Sequence, residues 1–112
     1  MPAGGEDEAR AFYGRLLGLP EVPKPPALAA RGGCWFERDG LKVHLGVDPD
    51  FRPARKAHPA FVVDDLQSVV ASLVAAGAAV EEAEPIDRIE RAFAHDPFGN
   101  RLELIDGSAP TV

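Results

Sequence analysis

Two kinds of apolar pattern alternate along this chain, and together they predict its elements. Ala9, Phe12, Tyr13, Leu16 and Leu17 fall at i, i+3, i+4, i+7 and i+8, the stripe of an amphipathic helix. Glu6, Asp7 and Glu8 suit its positive amino end and Arg15 its carboxyl end. Gly18 is placed to stop it in a left-handed conformation. Leu66, Val69, Val70, Leu73 and Val74 repeat that spacing in a second helix, capped by Asp64 or Asp65 and ended by Gly77. Short strand-like runs fill the remainder, at 33–37 and 41–47 around the turn Arg38-Asp39-Gly40, at 58–63, and near 79–81. A closing hairpin is predicted over 91–95 and 101–105, around Asp96-Pro97-Phe98-Gly99-Asn100. The Pro-rich segment 20–26 reads as an edge strand or an extended loop, and 48–57 as a connector.

The two halves superpose on one constant shift of 59 residues, which carries the helix stop Gly18 onto Gly77 and the turn glycine Gly40 onto Gly99. The same shift carries Val43-His44-Leu45 onto Leu102-Glu103-Leu104. The predicted class is therefore α+β: one domain over 1–112, with module one at 1–47, the connector at 48–57 and module two at 58–107. The repeat also places the counterpart of the strand at 58–63 before Met1. Module one is thus expected to lack its opening strand, with residues 1–5 supplying at most a remnant. A strand left unpaired by that loss invites pairing with another chain, so dimerisation or poor solubility is expected.

Composition narrows the function classes. The 112 residues carry a formal net charge of −6, which disfavours binding to a nucleic-acid backbone. A single cysteine, Cys34, excludes an intrachain disulfide and a CxxC zinc site, and beside Trp35 and Phe36 it reads as a buried inert thiol. The amino terminus is acidic and Gly-rich, unlike a signal peptide, and the longest apolar stretch is too short for a bilayer span. A cytoplasmic protein is the default. No GxSxG elbow, phosphate loop or dinucleotide fingerprint is present.

Strand alternation then sorts the side chains. Val43, Leu45 and Val47 share one face, Lys42 and His44 the other; Leu102 and Leu104 oppose Arg101, Glu103 and Ile105; Phe61 and Val63 oppose His58, Ala60 and Val62. The helices need the apolar faces, so His44, His58 and Glu103 are expected on the faces the helices leave open. Two imidazoles and a carboxylate suit zinc, iron, nickel, cobalt or manganese, and three protein ligands leave positions for water or substrate. Trp35 and Glu37 share the open face and Trp35 is a candidate for lining a ligand pocket or packing in a dimer. Arg101 and Lys42 are repeat-equivalent on the same face, candidates to anchor an anionic substrate or simply solvated charges. His95 reads as ordinary hairpin sequence, and Arg52, Arg55 and Lys56 as a solvated basic loop.

The segments Ala11-Phe12-Tyr13 with Leu16-Leu17-Gly18-Leu19, Val43-His44-Leu45, His58-Pro59-Ala60-Phe61-Val62-Val63-Asp64 and, most specifically, Asp96-Pro97-Phe98-Gly99-Asn100-Arg101-Leu102-Glu103-Leu104-Ile105 resemble the vicinal oxygen chelate superfamily. It includes glyoxalase I, bleomycin-resistance proteins, fosfomycin-resistance enzymes and extradiol dioxygenases. The resemblance implies two βαβββ modules forming a cupped mixed sheet with helices on its outer face. It implies a divalent metal held by His44, His58 and Glu103, the fourth usual ligand falling on the missing first strand, and sites often shared across a homodimer.

Three functions follow from this reading. In the first, a metal-dependent enzyme binds two neighbouring oxygens of a small substrate, with Glu103 as ligand and general base and with lyase, isomerase and dioxygenase chemistry all open. In the second, a non-catalytic protein sequesters a drug or metabolite in an aromatic-lined cleft to which Trp35 and Phe98 contribute. In the third, the chain is an inactive truncated form.

Overall fold

The computed structural model describes residues 1–108. The chain forms two compact units, Met1–Arg52 and a second from Pro53 onward, and each is built as an α+β module. No helix among the described residues is long and apolar enough to cross a membrane.

The first unit opens with helix α1 (Glu6–Ala9), which continues directly as a π-helix over Arg10–Leu16. The apolar spacing predicts an α-helix throughout, and the structure departs from it. Leu17 N–H donates to Phe12 O at 3.0 Å, an i to i+5 bond. Each residue of a π-turn advances less far around the axis than in an α-helix, so the stripe drifts. Ala9, Phe12 and Tyr13 are buried, Leu16 and Leu17 only half-buried, and Leu19 beyond the helix takes up core duty. Phe12 and Tyr13 meet edge to face at 5.0 Å, and Tyr13 packs 5.9 Å from the fully buried Phe36.

Strands β1 (Glu21–Val22), β2 (Cys34–Arg38) and β3 (Leu41–Leu45) form an antiparallel sheet in that spatial order. The Pro-rich segment supplies both the two-residue edge strand β1 and a short helix, α2 (Pro26–Ala29), that the pattern does not predict; Pro at its first position presets the backbone. Cys34 and Phe36 turn to the helix and are buried, while Trp35 and Glu37 face the other way. The buried Cys34 thiol has its pKa raised, chiefly by desolvation, as an inert core cysteine should. Strand β3 ends at Leu45 rather than at residue 47. Beyond it, the Met1 amino group donates to Gly46 O at 2.8 Å, and Met1 O accepts from Asp48 N–H at 2.9 Å. Those two bonds bracket Val47 as in a parallel strand pair.

The second unit is a complete βαβββ module: β4 (Ala60–Val63), α3 (Leu66–Ala75), β5 (Val80–Glu82), β6 (Arg91–His95) and β7 (Arg101–Asp106). Its sheet runs β4-β7-β6-β5, with β4 parallel to β7 and the other pairs antiparallel. Asp65 caps α3, its Oδ1 accepting from Ser68 N–H. Leu66 and Leu73 of α3, Ala92 and Ala94 of β6, and Leu102 and Leu104 of β7 are buried together on the helix-covered face. The opposite face carries Arg91, Phe93, His95, Arg101, Glu103 and Ile105.

The β6–β7 hairpin turns on Asp96, the one buried charged side chain among the described residues. Its Oδ1 accepts from Phe98 N–H (2.9 Å) and Asn100 N–H (2.8 Å), and its Oδ2 from Asn100 Nδ2 (2.8 Å). Gly99 completes the turn at a φ of 91°, which favours glycine. The Asp-Pro-Phe-Gly-Asn motif is thus a structural clamp that sets the register Phe93↔Glu103 and His95↔Arg101.

Removing the clamp should loosen the whole second module. Asp96→Ala leaves three donors without their acceptor, and we expect a loss of roughly 2–4 kcal/mol in urea unfolding. Asp96→Asn keeps one acceptor oxygen and should lose less.

Candidate functional site

The second unit builds a polar cluster on its helix-free face. His58 lies just before β4 rather than within it, since that strand begins at Ala60. Parallel pairing brings it to β7: Glu103 N–H donates to Pro59 O at 2.9 Å, and Ala60 is the register partner of Glu103. The imidazole Nε2 of His58 then stands 3.0 Å from Glu103 Oε1. The other oxygen, Oε2, is 3.4 Å from Arg91 Nη1, and Arg91 is fixed in turn by its Nε donating to Glu84 O at 2.8 Å.

Phe93 is the hub of this face. His58 meets it edge to face at 5.3 Å, Arg91 lies 5.4 Å from its ring centroid, and Arg101 lies over it at 3.8 Å. His58, Glu103 and Arg91 keep 26%, 14% and 19% of their side-chain surface exposed, shielded but open to a small molecule. The hydrogen bond from His58 is the main cause holding the Glu103 carboxyl below its ordinary pKa; burial opposes it, and the charge and hydrogen bond of Arg91 add to the lowering.

His58 Nδ1 lies 2.8 Å from Lys56 O. A carbonyl only accepts, so Nδ1 carries a proton. Nε2 also faces an acceptor, the Glu103 carboxylate. The contact is satisfied by a second proton on the ring, or by a cation in that proton's place. A histidine that donates one ring N–H to a backbone carbonyl is oriented as metal-binding histidines are. Two donors held at about 2.1 Å from one ion lie about 3.0 Å apart at an octahedral angle and about 3.4 Å apart at a tetrahedral one, and the 3.0 Å separation here is at the short end of that range. His58 and Glu103 therefore fit as two ligands of a divalent metal.

His44 has different neighbours. In the first unit its ring stacks on Trp35, its cross-strand partner, at 3.7 Å with 3° between planes. Its Nε2 is 3.8 Å from Glu37 Oε1, which Lys42 also approaches at 3.9 Å. Of the three ligands expected from the sequence, His58 and Glu103 meet directly, whereas His44 and the candidate pocket residue Trp35 form a stacked pair on the open face of the first sheet. Among the described residues no three His, Cys, Asp or Glu side chains are grouped to hold an ion. Arg101 stands on the face expected of it. Arg91 and Phe93 escape a reading that follows only metal-ligand residue types. The signal that finds them is the period of two in β6, which sets 91, 93 and 95 on one face.

The glyoxalase-like domain family matches residues 3–105. The chain belongs to that family. It shares the vicinal oxygen chelate fold, with a TM-score of 0.87 and 42% identity to a glyoxalase family protein from Bacillus anthracis, over 95% of this chain and 87% of that one. The fosfomycin resistance protein FosX from Listeria monocytogenes is similar in fold at 14% identity and a TM-score of 0.71, over 95% of this chain and 85% of its own. So is TnmS3, an antibiotic binding protein from Streptomyces sp. CB03234, at 22% identity and 0.69, over 95% and 89%. No curated protein matches the sequence significantly. The same fold thus carries proteins described as a glyoxalase family protein, a fosfomycin resistance protein and an antibiotic binding protein, so fold alone does not name a function.

The ionised Glu103 should leave a signature in acid. Its folded-state pKa is depressed, so its contribution to stability is present above the unfolded carboxylate pKa and is lost as pH falls through the folded value. We expect the urea midpoint of the wild-type chain to drop more steeply than that of Glu103→Gln between about pH 5 and pH 3. Parallel curves for the two proteins would contradict the assignment.

Proposed function

We propose that this glyoxalase-like domain is a metal-dependent enzyme that binds a small oxygenated substrate through two neighbouring oxygens at the His58–Glu103 pair. The contact that carries the proposal is the imidazole–carboxylate pair at 3.0 Å, with the far nitrogen of His58 held by Lys56 O. His44 is the further candidate ligand named by the family pattern, and Trp35 and Arg101 are the candidates for substrate contact. The ion, of the zinc, nickel, iron, cobalt or manganese type, supplies Lewis-acid stabilisation of negative charge developing on a substrate oxygen.

The chain's own groups do the remaining work. Lys56 O keeps the His58 ring turned with Nε2 toward the site. Arg91 holds the outer oxygen of Glu103 and so orients its inner one. A carboxylate whose pKa is pulled down is a weak proton acceptor. Glu103 can therefore take a proton from substrate only as its contacts with His58 and Arg91 are released. Phe93 and the cations around it shield one side of the pair from water, which strengthens each charge interaction there. Lyase, isomerase and dioxygenase chemistry are alternatives within this reading.

The Trp35–His44 stack favours a second reading, sequestration without catalysis. A flat aromatic surface on an open sheet face suits a planar drug or metabolite, and TnmS3 is a relative in fold that is described as antibiotic binding.

Metal analysis of protein purified without chelator separates the two. The enzyme reading expects a bound divalent ion, with affinity falling at least tenfold in His58→Ala and in Glu103→Ala; the same measurement on His44→Ala tests that residue as a ligand. Affinity unchanged in His58→Ala and Glu103→Ala overturns the enzyme reading. Metal-free protein that binds planar aromatic compounds, and loses them in Trp35→Ala, establishes sequestration instead.

A further inference from the structure

Arg101 is the cation on the second unit's open face that has no carboxylate. It lies two residues before Glu103 on the same face of β7, yet Glu103 pairs with His58 and Arg91, and no ion pair joins Arg101 to any described residue. Its guanidinium carbon lies over Phe93, 3.8 Å from the ring centroid. A cation held over a ring in this way is shielded from water on that side, while N–H donors directed away from the ring stay available. A preset fork of donors matches the two coplanar oxygens of a carboxylate or phosphoryl group.

A second observation lies beside it. His95 is the register partner of Arg101 on β6, and its Nδ1 is buried without any hydrogen-bond partner, alone in this among the described side chains. A buried polar atom without a partner is costly and asks for a function or a ligand. Glu81, register partner of Phe93 on β5, is exposed and makes no ion pair with Arg101.

We propose that Arg101, with His95 beside it, is an anion subsite, and that the substrate carries a carboxylate, phosphate or phosphonate group as well as its chelating oxygens. This rests on the reading of His58 and Glu103 as the reacting end of the same face. Arg101 and Glu103 lie two residues apart on the same face of β7, and the Arg101 guanidinium reaches over Phe93, the register partner of Glu103. The anionic group and the chelating oxygens accordingly belong to one small acid.

The test is titration of the full chain with inorganic phosphate, methylphosphonate and acetate, followed by NMR of the arginine Nε–H and Phe93 ring signals. We expect saturable shifts at Arg101 and Phe93, at least tenfold weaker binding in Arg101→Met, and a smaller loss in Arg101→Lys, which keeps the charge without the fork. If Arg101→Met fails to fold, Arg101→Lys decides. The tighter of the phosphoryl and carboxylate probes names the source of the anion. Glu103→Gln removes a neighbouring negative charge and should keep or tighten anion binding while losing metal, so the subsite and the metal reading fail separately. Shifts spread equally over Arg52, Arg55 and Lys56, or affinity unchanged in both Arg101 variants, would overturn the subsite.

Discussion

The site depends on the register of one strand. β7 lies between β4 and β6 and is locked to both, to β6 through the Asp96 clamp and to β4 through the bond from Glu103 N–H to Pro59 O. Because side chains alternate with a period of two, a slip of one residue would send Glu103 and Arg101 under α3 and bring Leu102 and Leu104 to the open face. The burial of Leu102 and Leu104 therefore holds the polar residues between them in place. Core packing and site geometry are two faces of one constraint.

Electrostatics then divides labour along that face. Glu103 is held between His58 and Arg91, which keep it ionised and aimed. Arg101 is held by an aromatic ring instead, which orients a cation without neutralising it. On the proposed reading, one end of the cluster takes a metal ion and the other an anion, and a small bifunctional substrate would lie along β7 between them.

Much of this was legible in the chain. Period-two alternation correctly separated Leu102 and Leu104 from Arg101 and Glu103, and the pattern of helix stripes and short strands led to the α+β class that the structure has. The chain also resembled its family over nearly its whole length. Two features were not legible. The π-helix at Arg10–Leu16, in which Tyr13 packs on Phe36 of β2, is a departure that helical spacing alone does not encode. The partners of His44 likewise follow from cross-strand register, which sets it against Trp35 and near Glu37, and no count of metal-ligand residue types contains that information. The Asp-Pro-Phe-Gly-Asn motif was the most specific piece of the resemblance, but its Asp is a buried clamp and not a reacting group.

The central claim is that the Nε2 of His58 is a metal ligand whose other nitrogen stays protonated against Lys56 O. Long-range proton–nitrogen NMR of the histidine rings, recorded before and after zinc is added, measures this directly. The account predicts that His58 Nε2 loses its proton and moves to the shift of a metal-bound nitrogen, with Nδ1 still protonated. Both nitrogens of His58 unmoved at saturating zinc would contradict it.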